Sequence, residues 1–95
     1  MKVAKNNMKE LILLYEAILK LENVRECKNF FRDLCTLDEL KSMAERFAVA
    51  KMVDKKIPYR QISEKTGSST ATITRVAQWL HHGEGGYRLM LHRLS

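Results

Sequence analysis

Proline occurs once in this chain, at position 58, and glycine four times, at 67, 83, 85 and 86. So few breakers, with no alternating runs of Val, Ile and Thr, argue against sheets and for an all-α chain interrupted at few points. Cysteine is almost as scarce. Cys27 and Cys35 stand eight apart with no C-x-x-C pair, which argues against a metal or redox site. Each is read instead as a small buried hydrophobe on an apolar helical stripe. Nor do the histidines make a metal site, because His81, His82 and His92 include no H-x-x-x-H pair on one helix face. No apolar run is long enough to span a bilayer. Lys2, Lys5 and Lys9 precede an apolar stretch, but Glu16 and Lys20 interrupt it and no small-residue cleavage site follows. The expectation is a reduced, cytoplasmic protein with no membrane partner. Nucleophile patterns such as G-x-S-x-G are missing too, and an enzyme is not expected. The glycines at 83, 85 and 86 follow no strand, so they carry no phosphate-binding fingerprint.

Acidic residues are also short on one side of the chain. Residues 1–54 hold ten Lys/Arg against nine Asp/Glu, whereas residues 55–95 hold seven against two. Nearly all of the net charge of +6 therefore lies in the C-terminal part, where it would attract a polyanion. The 45% of apolar residues over 95 positions suits one folded domain, residues 1–95, that gains from oligomerisation.

Residues 1–7 are polar and expected to fray. A helix over Met8–Glu22 is apolar nearly all round, with Leu11 to Tyr15 in succession and then Ala17, Ile18, Leu19 and Leu21. In so short a chain such a helix is best buried by a second copy. Asn23 marks a break. A second helix over 24–35 puts Val24, Cys27, Phe31 and Leu34 on one face. Thr36-Leu-Asp-Glu39 reads as a capping box. A third helix then runs to about Asp54, with Leu40, Met43, Ala44, Phe47 and Ala50 as its inner stripe and Arg46 between them. Lys55-Lys56 connects to the next unit, 81–86 is a loop, and Tyr87 to Leu94 form a short last helix. Six helices result.

The stretch Pro58 to Leu80 organises the rest. It reads as a helix over Tyr59–Thr66, a turn at Gly67, and a helix over Ser69–Leu80, the shape of a helix-turn-helix. Glycine is the cheapest residue for the left-handed conformation that stops the first helix. Ser68 or Ser69 can cap the second. Ile73, Val76, Ala77 and Leu80 share one face, against which Ile62 should pack. Ala71, Thr74, Arg75 and Gln78 share the other. Ser68, Ser69, Thr70, Ala71 and Thr74 are candidates for base or phosphate contact at the reading helix, and Tyr59, Arg60, Lys65 and Arg75 for phosphate contact.

The helix order and several residues resemble the tryptophan repressor family, in particular its YerC/YecD-type branch. The carrying residues are Phe31–Leu34, Thr36-Leu-Asp-Glu39, Arg46 and the run E-K-T-G-x-S-T-A-T-I-T-R, present as Glu64 to Arg75 with Ser68 at x. The likeness covers roughly residues 8–94. It implies a six-helix, intertwined homodimer that sets two reading heads into successive major grooves of double-stranded DNA. It also implies a ligand pocket, in which Arg46 and Arg75 match the arginines that flank a bound tryptophan and Thr36 matches a threonine that helps to hold it. Two positions depart from the pattern: Val76 replaces a glycine and Trp79 a serine. Both add bulk, so the expectation is that the protein's own side chains fill the corepressor space and that no tryptophan cofactor is needed.

The function expected is a dimeric, sequence-specific transcriptional regulator, in the sense of a repressor. The alternative is a sensor whose DNA affinity depends on tryptophan or another small-molecule effector held at Thr36, Arg46, Arg75, Val76 and Trp79. A third reading is an interaction module that no longer reads DNA, which a shallow salt dependence would favour.

Overall fold

In the computed structural model, residues 4–95 are described, with side chains from residue 7 onward. Six helices and no strand occur among them: α1 (Ala4–Ile18), α2 (Val24–Leu34), α3 (Leu37–Asp54), α4 (Tyr59–Thr66), α5 (Thr70–His82) and α6 (Gly86–Leu94). The chain divides into two compact units, Met1–Leu37 and Asp38–Ser95.

In the first unit α1 lies four residues earlier at each end than periodicity suggests. Residues 4–7, expected to fray, are helical; residues 1–3 lie outside the described part. The helix stops early because the amides of Lys20 and Leu21 close tight turns onto the carbonyls of Ala17 and Ile18, at 3.0 and 3.1 Å. Glu22 and Asn23 then belong to the start of α2. The Asn23 side chain accepts from the Glu26 amide, and the Glu26 carboxylate accepts from the Glu22 amide, both at 2.9 Å. This reciprocal pair works like a capping box displaced by one residue. Cys35 lies just beyond α2 in extended conformation, its amide bonded to the Phe31 carbonyl. Both cysteines are free and half-buried. No described side chain of this unit is fully buried. Leu19 is 82% exposed and Val24 83%, and Leu11, Ile12, Leu13, Tyr15 and Leu34 are also exposed.

The second unit holds the core. Val49, Ala50 and Val53 of α3 pack with Ile62 of α4 and with Ile73, Val76, Ala77 and Leu80 of α5. Tyr87 and Leu91 of α6 close it from the far side. The expected α3 stripe is corrected here. Ala50 is buried, but Met43 and Ala44 are exposed and Leu40 and Phe47 are half-buried. The α3 residues that meet the core are instead those of its C-terminal half.

The end of α3 fixes the approach to α4. The amide of Lys56 bonds to the Val53 carbonyl at 2.9 Å and that of Ile57 to the Met52 carbonyl at 3.0 Å. This is a Schellman stop, and it is completed by Met52 and Ile57 packing against the core. Lys56 sits at the left-handed position, with φ of 63°, where glycine would be cheaper. Pro58 follows as the residue before α4, which spans Tyr59–Thr66 as periodicity suggests. At the other end α5 runs on through His82 and Gly83 caps it. The ring of Tyr87 in α6 stacks on Phe47 of α3, with centroids 6.4 Å apart.

Candidate nucleic-acid interface

α4 ends at Gly67, which adopts φ of 77° and sends its amide to the Ser63 carbonyl at 2.8 Å. Around this turn short side chains satisfy the backbone groups that a helix end leaves free. Thr66 Oγ1 donates to the Ile62 carbonyl at 2.7 Å and accepts from the Ser68 amide at 3.1 Å. Ser63 Oγ donates to the Ser68 carbonyl at 2.8 Å. Ser69 caps α5: its Oγ accepts from the Thr72 amide and meets Thr72 Oγ1, each at 3.1 Å. These bonds all run within a few residues of the turn, so its geometry is set largely by α4 and α5 themselves.

One bond reaches further. Ser68 Oγ donates to Glu45 Oε2 of α3 at 2.7 Å. Ser68 is only 3% exposed, so it is not a candidate for DNA contact as its position in the sequence suggested. Of the two serines after the glycine, the second caps and faces solvent while the first turns inward to a carboxylate. Glu45, Ser63 and Thr66 were not singled out in the sequence. The two α4 residues had a signal, because Ser and Thr in a last turn commonly bond back to the preceding turn. Glu45 lies 23 positions from its partner and had none.

The other proposed contacts stand where a ligand could reach them. Ser69 at the cap of α5 and Thr70, Ala71, Thr74 and Arg75 on it are exposed, as are Tyr59, Arg60 and Lys65 on α4. Behind them Ile62, Ile73 and Val76 are completely buried and anchor both helices. The outer face of α5 carries no acidic side chain from Thr70 to His82. Small side chains at the helix start would let the backbone approach a groove closely, with Arg75 as a flanking cation.

Arg46, Arg75, Val76 and Trp79 line one cavity of about 210 Å³ with Ser42, Glu45 and Thr72. Four of the five residues proposed for a ligand pocket are thus neighbours. Val76 is buried and contributes only wall, whereas Trp79 is 43% exposed. The cavity falls below the ~300–1,000 Å³ usual for small-molecule sites. On its other side Trp79 also lines a cavity of about 720 Å³ with Phe47, His82, Tyr87 and Met90.

The Trp repressor protein family model matches residues 9–95. This chain belongs to the Trp repressor family. An uncharacterised protein, YerC, of Bacillus subtilis (strain 168) is 43% identical over 95 residues, which covers all of this chain and 91% of that protein. Among solved structures, a TrpR-like protein from Eubacterium eligens is 44% identical with a TM-score of 0.88, covering 90% of this chain and 89% of that one. A protein from Staphylococcus aureus, provisionally described as a Trp repressor, is 42% identical with a TM-score of 0.88 and covers 99% and 94%. The six-helix architecture is therefore that of the Trp repressor family, a family of DNA-binding regulators. No helix among the described residues is long and apolar enough to cross a membrane.

Proposed function

We propose that the protein is a dimeric, sequence-specific transcriptional repressor of the cytoplasm that reads the major groove of double-stranded DNA with the N-terminal half of α5. The observation that carries this reading is the braced turn. A helix start bearing Ser69, Thr70, Ala71 and Arg75 is held rigidly in front of a buried Ile62–Ile73–Val76 anchor. A preorganised reading head loses little conformational freedom on binding. The second copy is supported by the uncovered apolar side chains of the first unit, which a monomer rarely leaves in such number. Two copies together read two half-sites about one helical turn apart.

The protein binds its operator without tryptophan. What supports this is the small cavity between Arg46 and Arg75, narrowed by Val76 and Trp79. An effector-dependent repressor is the second reading, favoured by the larger apolar cavity on the other side of Trp79.

Selection of genomic fragments by the purified protein, with and without added tryptophan, tests both. A shared near-palindromic site in the two conditions is the expected result. A site recovered only with tryptophan would refute the filled-pocket reading, and no enriched site in either would refute operator recognition by the protein alone.

A further inference from the structure

Three lysines, from α3, the turn after it and α4, meet in one cleft away from the Trp79 cavities. Lys51 of α3, Lys55 in the turn just after α3 and Lys65 of α4 line a hollow of about 310 Å³ whose floor is Ala48, Met52 and Ile57. The Lys55 amide bonds to the Lys51 carbonyl at 3.1 Å, so the two lysines lie one turn apart and their like charges repel. No carboxylate lines the cleft, and among the described residues none of the three lysines forms an ion pair. The C-terminal ends of α3 and α4 supply partial negative charge here, but two half-charges do not balance three ammonium groups. The floor residues are half-buried and apolar. A low-dielectric wall of this kind concentrates the field of the cations.

We propose that this cleft is a binding site for the phosphate groups of a sugar–phosphate ligand. The lysines hold the anionic oxygens while the sugar rests on Met52 and Ile57. The volume lies at the lower edge of the small-molecule range, ~300 Å³, which suits one sugar–phosphate unit better than a large ligand. That unit has two sources, the DNA backbone and a free nucleotide. The DNA source rests on the function proposed above, since Lys65 stands two residues before the Gly67 turn. The free source does not.

The test compares the wild-type protein with a K51Q/K55Q variant and a K51R/K55R variant, Lys65 being kept because it is also a proposed contact of the reading head, and each is checked for fold by thermal melting. In the first arm, operator affinity is measured against salt. If the cleft holds a backbone phosphate, the Gln variant lowers the slope of log K against log[salt] by about 0.9, the value for one phosphate, and the Arg variant restores it. In the second arm, deoxyadenosine 5′-monophosphate is titrated into the wild type and the methyl signals of Met52 and Ile57 are followed by NMR. Saturable shifts that vanish in the Gln variant, with the salt slope unchanged, assign the cleft to a free nucleotide. An unchanged slope with no saturable shift overturns the proposal. A wild type that binds no DNA refutes the regulator reading, and the nucleotide arm then decides the cleft by itself. Should the double Gln variant fail to fold, K51Q and K55Q singly take its place in both arms.

Discussion

Replacing Glu45 by alanine removes the acceptor of the Ser68 hydroxyl's bond, which ties α3 to the helix-turn-helix turn. The Ser68 hydroxyl is then left at 3% exposure without its carboxylate. A hydrogen bond to a charged group contributes about 1.5–3 kcal/mol, and an unsatisfied buried polar group costs about 1–3 kcal/mol. Glu45 itself is exposed, so solvent weakens the bond and the lower end applies, about 1.5 kcal/mol. Ser68→Ala should cost less than that, because the freed carboxylate returns to water and no buried polar group is stranded. The double variant should therefore be only slightly less stable than Glu45→Ala, with a coupling energy of about 1 kcal/mol. In a domain of this size 1.5 kcal/mol lowers the melting temperature by about 6–12 °C. Calorimetry or urea unfolding of the four proteins at one fixed concentration measures the cycle, since the melting temperature of the proposed dimer would depend on concentration. Single effects that add within about 0.3 kcal/mol would refute the reasoning, for they would mean that the two side chains act independently.

Two further outcomes follow from the same geometry. Ala71→Glu puts a carboxylate on the exposed tip of α5; it should reduce operator affinity at least a hundredfold in a mobility-shift assay while circular dichroism and melting stay unchanged, and undiminished affinity would remove Ala71 from the interface. Lys56→Gly relieves a left-handed lysine but adds freedom to the unfolded chain, so urea unfolding should show a net gain of about 0.5–1 kcal/mol; a loss would mean that the lysine side chain makes up for its backbone.

Much of this molecule is written in local pattern. Ile62, Ile73, Val76, Ala77 and Leu80 were legible because helical period puts them on facing stripes, and all five are buried. Gly67 was legible because a left-handed stop between two short helices calls for glycine, whereas the stop after α3 was not, because a lysine occupies it. The failures are of another kind. Which of Ser68 and Ser69 faces out depends on Glu45, far away in sequence. The inner face of α3 could not be read from its own residues, because apolar side chains lie on more than one side and tertiary packing chooses among them. The lysine cleft is likewise a meeting of two helices, and single-helix periodicity carries no trace of it. The pocket residues Arg46, Arg75, Val76 and Trp79 were named through family likeness, and they do line a common cavity.

Trp79 is the only tryptophan in the chain, and it forms a wall of both the Arg46–Arg75 cavity and the larger apolar one. At 43% exposure its indole is neither fully quenched by water nor sealed from it. It also lies one turn beyond Arg75 on the helix proposed to enter DNA. The protein thus carries its own fluorophore at the junction of its two hollows. A small molecule settling into either one should shift the emission, and operator docking should alter its quenching by iodide. Ligand screens and binding titrations can accordingly be run on the unlabelled protein, with every change in intensity traceable to a single side chain.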